Sequence, residues 1–300
     1  MNNPSPISPA AAPAASPPAK PRFALAGPKV LLEGPSGSGK THSIGTLVDW
    51  AAAQTPALEV FVLFTENGLE TLKGYWADRG LPIPANLHWH VTATPALGLD
   101  SLIEGARNVG LLTYEGLTKL IDPKRAQNNP WEKFLRVLAD FKDDRTGQSF
   151  GNVGTWGADR ILINDSLSET ANACFRMVTG NKPMAAQNEY LVGQTNLLNW
   201  LRWMTQALQC TFVITAHVQR QMNEVTGTTQ LMTKAIGKAL ADDIPQLFSD
   251  TIYCVREGTK WYWDTAAASV DTKTRNLPYQ SKLSPDFAQI MEKWKARAEA

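Results

Sequence analysis

Residues 28 to 41 read Pro-Lys-Val-Leu-Leu-Glu-Gly-Pro-Ser-Gly-Ser-Gly-Lys-Thr, an apolar strand that runs straight into a glycine-rich turn ending in Gly-Lys-Thr. Gly34, Gly39, Lys40 and Thr41 fit the spacing G-x-x-x-x-G-K-[ST], in which loop N–H groups and the start of a following helix cradle the phosphates of a nucleotide. Pro35, Ser36, Gly37 and Ser38 complete that cradle. Lys40 supplies a point charge for the β and γ oxygens, and Thr41 a hydroxyl for Mg²⁺, a cation that keeps most of its waters and takes few protein ligands. In a chain of 300 residues a chance match amounts to about 1%. The flanks agree as well: Val30, Leu31 and Leu32 form an apolar run before the turn, and Ile44, Leu47, Val48 and Ala51 recur after it at helical spacing. A strand–loop–helix unit of this kind belongs to an α/β domain, and its expected ligands are ATP and Mg²⁺.

With 43% hydrophobic residues the chain can bury a sizeable core, and its length suits one large α/β domain better than two equal ones. The 29 basic and 28 acidic residues leave a net charge of +1, so no global positive field exists and any nucleic-acid contact has to come from a local cluster. Cys174, Cys210 and Cys254 form no C-x-x-C pair and read as reduced core residues of a cytosolic protein. No apolar run reaches the length of a membrane span, and the first residues lack the charged start and apolar core of a secretion signal. The expectation is a soluble, cytoplasmic protein with no membrane partner.

Along the chain, residues 1–21 are rich in Pro, Ala and Ser with a single charged side chain, Lys20, a composition too poor in large apolar groups to offset ordering entropy; a disordered tail is expected. Phe23-Ala24-Leu25-Ala26 reads either as a short edge strand or as a plug that docks on a neighbouring subunit. Leu58 to Phe64 is a β-branched and aromatic run, predicted as a buried parallel strand ending in Thr65-Glu66-Asn67-Gly68. A carboxylate at the carboxyl edge of such a strand stands where a γ-phosphate would lie, so Glu66 is either the group that polarises the attacking water or a solvated loop acid. His88 and His90 share one face of a strand at Leu87–Val91 without enough neighbours for a metal, and read as packing or surface residues.

Residues 97 to 141 have a helical pattern, and the glycine-rich stretch 147–157 has no assignment. Ile161-Leu162-Ile163-Asn164-Asp165 is an apolar strand ending in Asp, the way P-loop enzymes present the carboxylate that holds Mg²⁺, which makes Asp165 the metal candidate beside Thr41. Tyr190 to Leu208 is predicted as a helix with Leu191, Leu198, Leu201, Met204 and Leu208 on its buried stripe. Thr211 to Thr215 is a further strand, ending in Ala216-His217. Residues 219 to 234 have no apolar period and read as a long mobile loop, a length that tends to be functional. Ile236 to Phe248 reads as a helix, Thr251–Val255 and Trp261–Trp263 as two antiparallel strands, and a last helix, basic through Lys293, Lys295 and Arg297, is expected to start at Ser284-Pro285.

This order of parts, from about residue 28 to 280, resembles the RecA-type recombinase ATPases, and among them the compact phage single-strand annealing proteins of the Sak type. Glu66-Asn67-Gly68-Leu69-Glu70 is similar to the family's stretch after the second strand, whose glutamate activates water, and Asp165-Ser166 to its Asp-Ser at the magnesium strand. The resemblance further implies that His217 stands at the polar sensor of the γ-phosphate, usually Gln. It implies that residues 218–235 are a second DNA-binding loop, with Gln219, Arg220, Gln221 and Lys234 on it, followed by a glycine-led helix that contains Lys238. Lys273 and Arg275 are similar to a basic pair that reaches across to the neighbouring subunit's nucleotide. A first DNA-binding loop falls somewhere in 172–190.

The fold expected is therefore a RecA-like P-loop NTPase core, a mainly parallel sheet flanked by helices with antiparallel strands added near the C-terminus. It comprises a tail (1–21), an ATPase domain (22–280) and a C-terminal basic helix (281–300). The function implied is an ATPase that binds single-stranded DNA in recombination or annealing and self-associates as a filament or ring. A single-strand-binding protein is a further partner, and the cytoplasm of a bacterial host is the location if the chain is phage-encoded. The alternatives are an AAA+ type ATPase such as a helicase loader, which needs a helical lid, a small-molecule kinase, which needs an arginine-bearing lid, and a DNA-binding module switched by ATP without significant turnover.

Overall fold

A computed structural model describes residues 22–92, 99–110, 113, 129–180, 185–222 and 229–299. The parts of the tail, of the 97–141 region, of the 172–190 stretch and of the 219–234 segment that fall outside these ranges are left undescribed. Six parallel strands form the centre: β1 (Lys29–Glu33), β2 (Glu59–Phe64), β3 (Leu87–Val91), β4 (Arg160–Asp165), β5 (Thr211–Ala216) and β8 (Asp250–Glu257). They lie in the order β3-β2-β4-β5-β1-β8, and β9 (Lys260–Asp264) adds an antiparallel edge through the register Cys254↔Trp263. Two strands between them in sequence, β6 (Val218–Met222) and β7 (Thr229–Thr233), form a separate hairpin.

The strands are parallel because each returns through a crossover, and a sheet covered on both faces needs near-continuous apolar strands. β1 and β5 are buried along their whole length. On one face lie α1 (Lys40–Ala52), α2 (Leu69–Ala77) and α7 (Ala288–Ala298), packed on Val30, Leu32, Val60 and Val62. On the other lie α4 (Pro130–Ala139), α5 (Leu167–Thr179) and α6 (Gln187–Arg202), packed on Leu31, Phe61, Leu162 and Phe212. Between β3 and α4 stands a further helix, α3 (Leu99–Gly110).

Several elements differ from expectation for identifiable reasons. The described residues of 219–234 lie mainly on β6 and β7, whose antiparallel register pairs Val218 with Thr233 and Met222 with Thr229; these polar strands hide the period because neither face is enclosed as the main sheet is. Ile236–Phe248 is a succession of turns with one 3₁₀ turn at Pro245–Leu247. Ile236, Leu240, Ile244 and Phe248 are nonetheless buried, so the four-residue apolar spacing reflects inward-facing turns. The buried stripe of α6 runs through Gly193, Leu197, Trp200 and Leu201. Leu191 is 65% exposed, and beyond Arg202 the chain continues in a π-helical turn, Trp203–Ala207, which seats Met204 and Leu208.

The last helix starts at Ala288, where Asp286 accepts a hydrogen bond from the Ala288 N–H at 2.9 Å, and not at Ser284-Pro285. Phe23 forms no strand. It is buried against Trp294 of α7, ring centroids 4.8 Å apart, while the Ala24 N–H donates to the Ala298 carbonyl at 3.0 Å. Burial of one such aromatic contributes about 1.5–3 kcal/mol, and Phe23 contributes it within its own chain. The unassigned stretch 147–157 folds back on Phe141, whose carbonyl accepts from the Phe150 N–H at 2.8 Å, and contains a 3₁₀ turn at Val153–Thr155. Just before it, Asp143 accepts from the Trp89 N–H and holds His88, which also meets Glu59 at 2.8 Å. His88 and His90 are thus packing residues, the latter paired with Asp144 at 2.8 Å.

Candidate functional site

The carboxyl ends of β1, β2, β4 and β5 open on one cleft of about 470 Å³ whose wall is the turn between β1 and α1. Ligands of open α/β sheets bind at this edge, where successive crossovers diverge. Gly39 has φ 85° and stands against the Trp261 ring: a Cβ there would lie 2.7 Å from it, so this turn requires glycine on two counts. Ser38 and Lys40 are buried, and Gly34, Pro35, Ser36, Gly37 and Thr41 follow the same turn.

Lys40 Nζ donates to the carbonyls of Gly34 and Pro35, both at 2.9 Å. Burial lowers its pKa, opposed by the charges of Cys254, Asp165 and Glu66. A buried ammonium held only by carbonyls is short of negative charge, which a phosphate would supply. Thr41 donates to Asp165 Oδ2 at 3.0 Å, and Thr215 of β5 donates to Asp165 Oδ1. Asp165 is buried with its pKa raised, chiefly by burial and further by the charge of Glu66. Its two hydrogen-bond donors, Thr41 and Thr215, are hydroxyls without charge.

Thr41 and Asp165 present adjacent oxygens of the hard kind that would hold Mg²⁺, a cation that takes few protein ligands. Among the described residues no cluster of three or more His, Cys, Asp or Glu could hold a metal by itself. Gly68 keeps the space open: a Cβ there would meet Asp165 Oδ2 at 2.4 Å.

Glu66 follows β2 and faces the same cleft. Thr65 fastens this turn to the end of β4 by its N–H to the Asp165 carbonyl at 2.8 Å and by its hydroxyl to the Ser166 carbonyl at 2.9 Å. The peptide bond between Asp165 and Ser166 is cis. His217 Nε2 stands 3.5 Å from Glu66 Oε2. The hydrogen bond from His217 is the largest cause of a lowered Glu66 pKa, which burial opposes. His217 is itself placed by a hydrogen bond from its N–H to Ser168 Oγ at 3.2 Å. Lys40, Thr41, Glu66, Asp165 and His217, widely spaced in sequence, therefore line one cavity.

Gln219, Arg220 and Gln221 lie on β6, directly after His217, and Lys234 directly follows β7, with its N–H bonded to the His217 carbonyl at 2.7 Å. Arg220, Lys234 and Lys238 are exposed. Lys238 sits in the turns after the hairpin; no α-helix forms there, because Gly237 has φ 66° and reverses the chain. Lys273 and Arg275 stand apart from the cleft. Lys273 pairs with Thr251 in the starting half of β8, and Asp250 accepts from the Arg275 N–H at 2.9 Å. Both side chains are exposed and neither lines the cavity of its own chain.

Three further residues, His42, Tyr75 and Trp261, complete the lining of the cleft. Trp261 of β9 donates its indole N–H to the Gly37 carbonyl at 3.1 Å, His42 packs on Trp261 at 4.5 Å, and Tyr75 of α2 meets His42 at 4.9 Å. Tyr75 is anchored by Asp49 at 3.0 Å, and the Arg79 guanidinium lies 3.8 Å above its ring. This aromatic wall had one local signal, a histidine directly after Gly-Lys-Thr; Tyr75 and Trp261 come from other elements. Neither a scan of protein-family models nor a search of curated proteins returns a match to this chain.

Proposed function

We propose that the chain is an ATP-dependent single-stranded DNA-binding protein of the RecA-like recombinase and annealing class, which hydrolyses ATP. The observation that carries the reading is a direct junction: β5 ends at the cleft with Ala216-His217, and the hairpin with its polar and basic residues begins at Val218. A change at the phosphates is thereby one residue from a candidate DNA contact. Lys40 and the loop N–H groups would bind the triphosphate, the aromatic wall of His42, Tyr75 and Trp261 would take the base, and Glu66 would orient the attacking water and accept its proton. Bound Mg²⁺, held by Thr41 and Asp165, would neutralise phosphate charge. Arg220, Lys234 and Lys238, with Gln219 and Gln221, would face the DNA backbone, and Lys273 and Arg275 a neighbour's nucleotide in a filament or ring.

One observation favours a second reading, an ATP-switched DNA-binding module with little turnover: His217 holds Glu66 as an ion of lowered basicity. An AAA+ assignment has less support, since the chain after β5 builds a hairpin, turns and two sheet strands before α7 docks on the core. Measuring phosphate release with and without single-stranded DNA separates these readings. DNA-stimulated turnover that Lys40→Ala abolishes is expected. DNA binding that depends on ATP without phosphate release would favour the switch, and unchanged turnover in Lys40→Ala would remove the nucleotide reading.

A further inference from the structure

Glu33 is the last residue of β1, immediately before the first glycine of the phosphate loop, and it is fully buried. A strand enclosed on both faces is ordinarily apolar throughout, as Val30, Leu31 and Leu32 are, so a carboxyl group here needs a reason. Its Oε2 accepts a hydrogen bond of 2.7 Å from Thr233 Oγ1, while its Oε1 is buried with no partner among the described residues. Thr233 ends β7 and pairs with Val218 at the root of the hairpin. Among the described residues no ladder joins these parts: β1 pairs with β5 and β8, and the other backbone ties of β7 and Lys234 run to His217, Ser269 and Val270.

We propose that Glu33 is a positioning residue, a strut whose carboxyl group seats the returning strand of the hairpin on the end of the phosphate-loop strand and so ties the position of one to the other. The inference deepens the nucleotide reading in one respect only, the signal that the strut would carry; the strut itself rests on the burial and the contact.

The chemistry of the seat makes the strut sensitive to protons. Burial pushes the Glu33 carboxyl up to about 7, against the Thr233 hydrogen bond and helped by the charge of Asp271. Asp242 and Asp271 line the same small space; on β8 Tyr253 pairs with Glu33 in the register, and the Glu33 charge raises the pKa values of Tyr253 and its neighbour Cys254 further. Arg220 of β6 is felt at Tyr253, and among the described residues Glu33 itself forms no ion pair. The seated carboxyl thus holds its proton more tightly than an opened one, whose pKa is the ordinary 4.5. Seating is then strongest in acid, weakens as pH rises from about 4.5 towards 7, and is level above that.

Hydrogen exchange of the full chain from pH 5 to 8.5, corrected for intrinsic rates and read at the Leu231 and Lys234 amides, tests this. In the wild type, protection is expected to fall roughly tenfold per pH unit up to about pH 7 and then level off. Glu33→Gln should show no such step, Thr233→Val should lose protection at every pH, and Thr233→Ser, which keeps the hydroxyl, should follow the wild type. A Glu33→Gln curve that tracks the wild type, or unchanged protection in Thr233→Val, overturns the strut, and if either variant does not fold the serine variant still has to reproduce the step. A second arm adds ATP and Mg²⁺. A nucleotide-induced change in hairpin protection that disappears in Thr233→Val while ATP affinity stays within about twofold supports the coupling, and an equal change in both proteins overturns it. Absence of ATP binding by the wild type would sink the nucleotide reading and leave the pH arm to decide the strut.

Discussion

Glu66 and His217 form the most informative pair of side chains, because their contact is the largest cause of the lowered Glu66 pKa and lies inside the cleft. As a base, Glu66 must be ionised, so activity should fall only below its lowered pKa. His217→Ala removes the largest cause of that lowering, and the acid limb of a kcat–pH profile is expected to move to higher pH; a superimposable limb would show that another group titrates. Glu66→Gln keeps the shape without the basicity, so ATP binding should persist while turnover drops by about 10²- to 10⁴-fold, measured by equilibrium nucleotide binding beside phosphate release. The glycine-loop side of the cleft was legible because its residues are contiguous and their spacing is imposed by one loop. The aromatic side was not, because His42, Tyr75 and Trp261 come from α1, α2 and the edge strand β9 and meet only when the sheet is assembled.

Among the elements, the hairpin carries the clearest consequence. It places Arg220 and Lys234 on exposed backbone that springs directly from the cleft. If each neutralises one phosphate, Arg220→Ala and Lys234→Ala should each weaken single-stranded DNA binding and reduce the slope of log K against log salt by up to about one unit. Slopes equal to wild type in a salt titration would place DNA elsewhere. The strands of the main sheet were readable from apolar runs, since enclosure on both faces leaves a continuous signal. The hairpin was read as a loop because Gln219, Gln221 and Gln230 break any alternation, and Ile236–Phe248 as a helix because four-residue spacing is satisfied equally by successive turns that bury one side.

For the whole molecule, the position of Lys273 and Arg275 decides how assembly would matter. They flank the starting half of β8, while the glycine-rich loop follows the end of β1, so they lie away from the cleft of their own chain, and under the filament or ring proposal they would serve a neighbour's. Mixing Lys40→Ala protein with a Lys273→Ala/Arg275→Ala protein is expected to restore part of the ATPase activity that each lacks alone. Near-normal activity of the double variant, with no gain on mixing, would make both residues surface charges. A different consequence follows from the clasp of Phe23 and Ala24 on Trp294 and Ala298. Residues 24 and 298 touch, so the described chain is almost a closed loop, and its order of reading is separable from its shape. In a version limited to residues 22–299, a short peptide joining residues 22 and 299 and a new opening at the exposed turn around Gly147 should give a circular permutant with the same sheet, in which the aromatic clasp lies in mid-chain.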